Sequence, residues 1–509
     1  MSRKTASAKT AVTGIALNVI NAILGFIVQK IFISSLGVEY AGINGVFTSI
    51  VSILTLTDLG ISTAVIFHLY KPLANNDHDK ISALMQYYRK ACRIISSIII
   101  VGGLILLPFA TTFVGETTVP DNLYIIFALF ITNAVFSYAL NYRRPILNAD
   151  QKGFIANIVV TACHLLLYGL KIVILLTTKN FYLYTASVVI VKIIEDLAIG
   201  LIVKKRYPYI DKKVKLSATI KNDFKKKIQG SIYHNAASYV VHSTDNIIIS
   251  QMFGVISVGL YSNYFMILNS INLLFGQLFT AMTASLGNIL ASEGAQKLYS
   301  VTKKIMLLNF WVYATISIAT YYCITPFIKL WLGPDFLFID VVVIALVLNF
   351  YLQSTRTPMT SILSSAGIIY ENRFVPVAEA IINLATSISL GLLFGLPGVF
   401  IGTALSNLYL HLYSYPKYAF GLVLKRNKFE YILIFLKYFG LFIATWIFMG
   451  GIINFIKLDN FILDFIAKGV ICVVIPSIIF FVIFRKTEEF KYFTNLASSF
   501  IKKRFLKRS

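Results

Sequence analysis

"LGVEYAG" at residues 36–42 and "FGVISVG" at residues 253–259 are one phrase written twice, 217 positions apart. In each, two glycines bracket a short segment with a long apolar run on either side. Gly37 pairs with Gly254, Val38 with Val255 and Gly42 with Gly259. Without a gap, the same offset pairs Thr63 with Thr280, Ala64 with Ala281, Leu69 with Leu286, Leu73 with Leu290, Ala74 with Ala291 and Lys80 with Lys297. Chance apolar matches do not hold one register through two helices and a loop, so the chain contains an internal repeat. Glycine adopts backbone angles that other residues avoid, and the phrase reads as a tight turn between the first two helices of each copy.

Of the 509 residues, 57% are hydrophobic and 13% charged; soluble domains carry about 25% charged residues. Apolar runs of about 20 residues, enough to cross a hydrocarbon core of roughly 30 Å as helix, follow one another almost without pause. The chain reads as an all-α integral membrane protein of about fourteen transmembrane helices. The predicted spans are 12–35, 41–66, 90–113, 122–146, 154–177, 182–203, 228–252, 257–290, 304–327, 339–364, 374–395, 398–421, 431–455 and 462–484. The span 257–290 is too long for one crossing and is expected to project into the cytoplasm. Six spans per copy is an even number, so both copies enter the membrane from the same side, as a parallel repeat. The expected organisation is a first lobe over 1–210, a basic linker over 211–227, a second lobe over 228–425, an extra helix pair over 426–484 and a basic tail over 485–509. The extra pair has no polar stripe and no partner in the repeat, and is expected to face lipid.

The formal net charge is +24. Its distribution decides its meaning. Loops such as "KKRYPYIDKKVKLSATIKNDFKKK" (204–227), "KRNK" (425–428) and the tail "KKRFLKR" (502–508) hold the cations, and the alternate loops hold few. Lys and Arg are retained on the cytoplasmic side, so both termini are predicted there. Cations that track loop parity exclude a nucleic-acid surface; contact with anionic lipid is expected at 204–227 and the tail. The opening "MSRKTASAKT" precedes an apolar run too long for a signal peptide and reads as an uncleaved anchor. The outer loops are too short for an external enzyme domain. Cys92, Cys163, Cys323 and Cys472 are scattered through apolar runs, with no CxxC, and read as packing residues. Neither a P-loop nor a metal motif occurs, so no cofactor is expected.

The repeat also carries polar residues. Asn18, Asn21, Gly25 and Gln29 share one helical face, and adding 217 gives Asn235, Ser238, His242 and Asn246. Ser52 and Thr55 map onto Asn269 and Asn272. Small polar side chains commonly serve helix packing, which accounts for one such stripe; matched stripes in both copies favour a central cavity. Further stripes carry charge: Asn133, Ser137, Arg144 and Asn148; Asn349, Gln353, Arg356, Thr360 and Ser364; Asn157, Thr161, His164, Tyr168 and Lys171. An ionisable group within a span is a functional candidate. Arg144 also suits a positive anchor at a helix end, whereas Arg356 lies deeper; at offset 216 it falls on Leu140, one turn from Arg144. Lys30 can snorkel outward or meet Asp245, which maps onto Val28. Asp58 and Asp245 are the candidates for ion coupling or gating. Lys192 and Asp196, four apart, are expected to satisfy each other, and Glu379, His234 and His411 are given no role.

"LGVEYAG" (36–42), "LTDLGISTAVIFHLYKPLANND" (56–77) and "YRRPILNADQK" (142–152), within two six-helix lobes plus two helices, resemble one known group. It is the polysaccharide-transporter branch of the multidrug/oligosaccharidyl-lipid/polysaccharide flippase superfamily, the Wzx-type flippases of O-antigen and capsule repeat units. The resemblance implies a bacterial inner-membrane protein that moves an undecaprenyl-diphosphate-linked oligosaccharide to the outer leaflet by alternating access. It also implies a cationic cavity, with a polysaccharide polymerase and glycosyltransferases as partners. Stripe geometry selects Arg144, Arg356, Lys171 and Lys30 for the diphosphate, and Asn18, Asn21, Gln29, Asn235, Ser238, His242, Asn246, Asn269, Asn272 and Gln353 for the cavity lining. A lipid II flippase or a cation-coupled multidrug exporter of the same superfamily is the alternative transporter; cavity cations favour anionic cargo. A membrane glycan polymerase or ligase is the alternative of another class, and the short outer loops argue against it.

Overall fold

The structure is a computed structural model describing residues 3–55, 61–212, 214, 243–280, 282–368, 371–456 and 458–495. Among these it is all helix and turn. Residues Met1–Phe265 with Pro376–Ala380 make one compact unit, and Met266–Val375 with Ile381–Ser509 a second.

The first unit holds α1 (Arg3–Leu36), α2 (Val38–Leu54), α3 (Ile61–Ala74), α4 (His78–Leu106), α5 (Ala110–Val114), α6 (Leu123–Ala139), α7 (Arg144–Ala149), α8 (Gly153–Thr177), α9 (Phe181–Arg206) and α10 (243–253). It also takes the start of α11 (Val255–Thr280). α1 packs on α8, α4 on α6, and α9 on both α6 and α8. Ile81, Leu84, Met85, Ile146, Leu147 and Val203 are nearly or wholly excluded from solvent and form the centre of its core. The second unit continues with α12 (Thr283–Ser292), α13 (Gly294–Trp331), α14 (Asp340–Ser354), α15 (Thr357–Ala366), α16 (Val375–Phe394), α17 (Leu396–Tyr409), a π-helix (Leu410–Val423), α18 (Lys428–Phe455) and α19 (Phe461–Phe484). Eight helices among the described residues are long and apolar enough to cross a membrane, and large apolar side chains such as Leu392, Phe429, Ile447 and Phe455 stand exposed. This is a multi-pass membrane protein.

The glycine phrase folds as the repeat requires. Gly37 and Gly254 both take positive φ, +98° and +81°. The Gly37 amide donates to Ile33 O at 2.9 Å and the Gly254 amide to Ser250 O at 3.0 Å, acceptors that are themselves 217 apart. The second glycine of each phrase then meets the other phrase. A Cβ on Gly42 would lie 2.0 Å from Val255 O, and a Cβ on Gly259 would lie 2.2 Å from Val38 O. Residue i of one copy touches residue j of the other, and j touches i, as across a two-fold axis.

Several spans depart from straight helices. The projecting helix expected over 257–290 is two: α11 ends at Thr280 and α12 begins at Thr283. The spans 122–146 and 339–364 are also broken. Pro145 and Pro358 stand at the start of α7 and α15. Proline lacks the amide hydrogen and its ring collides with the carbonyl four residues back, so the preceding helix stops. The freed Ser354 O accepts from Thr357 Oγ1 at 3.0 Å. The span 398–421 changes to π-helix at Leu410. The extra helix pair is only partly lipid-facing. α19 packs along α13 and α18 along the π-helix, with Phe442 stacked on Tyr351 at 3.9 Å and Tyr438 on Phe310 at 4.6 Å.

Candidate functional site

In the first unit the polar stripe of α1 is partly consumed in packing. Gln29 Nε2 donates to Asn263 Oδ1 at 2.9 Å, and Asn246 Nδ2 donates to Ser49 Oγ at 2.9 Å. Tyr168 Oη donates to the Asn21 carbonyl at 3.3 Å. The side-chain oxygens of Asn21, Asn133, Asn141 and Asn246 are buried without a hydrogen-bond partner, so polar capacity is left inside the helix bundle. Asn263 was not legible as part of the stripe: the repeat places Val46 opposite it, yet it is fully buried and answers Gln29. Asp58, Asn235, Ser238 and His242 lie outside the described residues, as does the side chain of Asn18. Lys30 is exposed and Asp245 buried.

The cations of this unit fall into two groups. Arg143 Nη2 pairs with Asp211 Oδ2 at 3.2 Å, and Arg89 Nη1 approaches Asp211 Oδ1 at 3.8 Å. The same two guanidinium groups lie 5.1 and 5.0 Å from the Tyr142 ring centre. Arg144 is partly buried. Lys171 lies 4.5 Å from the centre of the Tyr184 ring. The pairing expected of Lys192 with Asp196 is present at 3.2 Å, and Glu195 joins it at 2.8 Å.

In the second unit Arg356 stands in the break between α14 and α15, where the chain has left one helix and not begun the next. Its Nε donates to Tyr415 Oη at 3.1 Å and its Nη1 to Asn407 Oδ1 at 2.8 Å. Tyr415 comes from the π-helix and Asn407 from the turn of α17 just before it. His411, on the same π-helix, is buried and anchored at both nitrogens, 2.8 Å from Tyr431 Oη and 3.0 Å from Leu352 O. A carbonyl only accepts, so Nε2 carries the proton and Nδ1 accepts from Tyr431. A cavity of about 30 Å³ adjoins the break, lined by Tyr351, Thr355, Pro358, His411 and Tyr431 among others; it has room for about one water. Asn272 Oδ1 accepts from Tyr313 Oη at 3.2 Å, Asn269 is exposed and Gln353 partly buried.

The breaks correct the register of the repeat. Arg143-Arg144-Pro145 and Arg356-Thr357-Pro358 occupy the same local structure, the last turn before a proline-started helix. Arg143, not Leu140, is therefore the counterpart of Arg356, and the offset has fallen to 213. Among the described residues no cluster of three His, Cys, Asp or Glu side chains could hold a metal ion.

No protein-family model matches this chain, and no curated protein matches it by sequence. Its fold has solved counterparts. A lipid II flippase MurJ in an inward closed conformation superposes with TM-score 0.63 at 16% identity, over 92% of this chain and 99% of that one. An inward-facing multidrug resistance transporter of the MATE family superposes with TM-score 0.58 at 14% identity, over 76% and 91%. A transporter of the MOP superfamily from Pyrococcus furiosus gives TM-score 0.55 at 13% identity, over 80% and 93%. These neighbours are transporters and flippases, and this chain shares their fold.

Proposed function

We propose that this protein is a flippase that moves a diphosphate-linked oligosaccharide on a polyprenyl lipid from the inner to the outer leaflet of a bacterial cell membrane. The observation that carries the reading is the arginine in each broken helix: Arg143 and Arg144 before Pro145, Arg356 before Pro358. A diphosphate carries about two negative charges and does not cross hydrocarbon unaided. Arginine's planar fork binds phosphate oxygens in pairs. A helix break inside a span also frees backbone polar groups, which proteins tolerate at membrane depth only beside a cavity or other protein.

In this reading Arg144 and Arg356 take the diphosphate at the inner leaflet and pass it toward Lys171 and Lys30, while the glycan rides on the asparagine and glutamine stripes. The two lobes of the repeat rock about the cargo, both termini lie in the cytoplasm, and the basic linker and tail rest on anionic lipid. A polymerase and glycosyltransferases of the same glycan are the expected partners. A drug exporter of the same fold would have little use for two cationic breaks.

Arg356→Ala is expected to abolish surface glycan, leave lipid-linked repeat units on the inner leaflet and keep the protein at its normal level. Arg356→Lys keeps part of the activity. Full surface glycan from the Arg144→Ala, Arg356→Ala double variant at normal expression would overturn the proposal. For the topology, cysteines placed at Glu39 and Ser257 should react with an impermeant reagent on intact cells, and one at Lys213 should not.

A further inference from the structure

Three helices of the second unit change from polar to apolar at one edge of the membrane. α13 does so after Lys304 and α18 after Glu430, and the apolar run of α19 ends at Phe484. The chain then turns back: residues 488–495 are helical, and Phe490 stacks on Trp311 of α13 at 5.6 Å between ring centres. Between these elements lies a cavity of about 270 Å³, against about 30 Å³ for the one beside the Arg356 break.

Its wall carries both signs of charge: Lys303 and Lys437, Glu430 and Glu489. Part of this is settled inside the protein. Lys303 Nζ lies 2.8 Å from Glu489 Oε1, and Tyr299 Oη donates to Glu430 Oε1. The Arg426 guanidinium, 4.3 Å from the Tyr299 ring centre, packs on that tyrosine. Two groups are left over. Among the described residues Lys437 has the Phe484 ring, 5.5 Å away, and no salt-bridge partner, and no donor reaches the second oxygen of Glu430. Glu430, Leu433, Ile434 and Lys437 are spaced 0, 3, 4 and 7, so they share one face of α18. Glu430 stands at the polar end, and Lys437 starts about 10 Å deeper along the axis, with a stem long enough to rise toward it. Leu433, between them, is 68% exposed, so the cavity opens sideways to lipid; Phe484, 2% exposed, closes its inner wall.

Basic pockets between membrane helices take anionic headgroups. This pocket has as many acids as bases, and a purely anionic headgroup would meet Glu430 as a like charge. A headgroup with its phosphate near the glycerol and a cation at its tip matches both leftover groups in the order in which they occur. A carboxylate only accepts hydrogen bonds; a primary ammonium offers it three N–H donors and a quaternary one offers none.

We propose that this cavity binds one phosphatidylethanolamine molecule from the leaflet on the side of the C-terminal tail. The phosphate lies on Lys437, the ammonium on the second oxygen of Glu430, and an acyl chain along the exposed Leu433 and Leu436. None of these residues is assigned to the cargo, and the site does not depend on what the protein transports.

Native mass spectrometry tests it, with the purified, delipidated full-length protein mixed with phosphatidylethanolamine, phosphatidylcholine or phosphatidylglycerol of the same acyl chains. Phosphatidylethanolamine should bind about tenfold tighter than either other lipid, the effect of one charge-assisted hydrogen bond. Glu430→Gln should remove that preference, and Lys437→Gln should weaken all three lipids, since each carries the phosphate. Tyr299→Phe removes the bond that Glu430 makes inside the protein and keeps the carboxylate, so the preference should remain. Equal or tighter binding of phosphatidylglycerol or phosphatidylcholine, or a preference that survives Glu430→Gln, overturns the proposal. Loss of the preference in Tyr299→Phe also overturns it, by making the part of Glu430 a structural one.

Discussion

Adding one methyl group at Gly42 should separate α2 from α11. An alanine Cβ there would sit 2.0 Å from Val255 O, and 2.8 Å from the Val255 Cγ2 methyl. Real Cβ contacts do not fall below 3.0 Å, and a backbone oxygen inside a helix has no rotamer to retreat to. One helix must therefore move by about 1 Å. Overpacking of this kind costs about 1–3 kcal/mol. Each 1.4 kcal/mol is about a factor of ten in a population ratio, so the closed contact should lose about 5- to 150-fold against its separated form. The reciprocal change Gly259→Ala, with 2.2 Å to Val38 O, should act alike. The double variant should cost less than the sum, because the first methyl has already opened the space that the second needs. Gly440→Ala is the control: nothing lies within 4 Å of its Cβ and it is mid-helix, so stability should hold or rise slightly. Spin labels at Ser34 and Ile256, in a background without the four native cysteines, report the separation by pulsed dipolar spectroscopy, and thermal unfolding reports the stability. An unchanged distance distribution and melting temperature in Gly42→Ala would refute the close-contact reasoning.

Three further outcomes are expected. Pro358→Ala should let α14 run on into α15 and carry Arg356 away from Asn407 and Tyr415; surface glycan should fall while the protein still folds, as measured by glycan display and circular dichroism. Tyr431→Phe removes the hydroxyl that serves the buried His411 and should lower stability by about 1–3 kcal/mol, the cost of a buried acceptor left unpaired, read by thermal unfolding. Burial works against ionisation of Glu489, yet its hydrogen bond from Lys303 at 2.8 Å and the charge of that lysine hold the carboxyl below its ordinary value. A lowered carboxyl contributes stability above its ordinary value and loses it as pH falls through the folded one. Melting temperature should therefore drop on acidification through the lower carboxylate range, and Glu489→Gln should flatten that dependence.

Much of the architecture was legible in the residues. Hydropathy located the helices because lipid selects each span one residue at a time, and the predicted ends mostly fall within a few residues of α8, α9, α16, α18 and α19. The glycine turns were legible because a positive φ restricts the residue type locally. The site was legible only in part. Arg356 stood out because a cation within a span needs a reason, and the pairing of Lys192 with Asp196 followed from their spacing. His411 did not stand out: its partners, Tyr431 and Leu352 O, lie 20 and 59 residues away. Asn263 was hidden because its counterpart in the repeat is an apolar valine.

By itself the sequence determined that the chain is a helical membrane protein, that it repeats, and where its turns fall. Those properties are set by local composition and by the backbone freedom of single glycines and prolines. Only the tertiary structure decided which polar groups meet. It put Gly42 against Val255 O and Gly259 against Val38 O, matched Arg143 rather than Leu140 to Arg356, and left Asp196 Oδ2 buried beside a lysine already shared with Glu195. A helical wheel gives the face on which a side chain lies but not the neighbour that face will find. That depends on where proline breaks a helix and on how closely two backbones approach, and both are settled only when the helices pack.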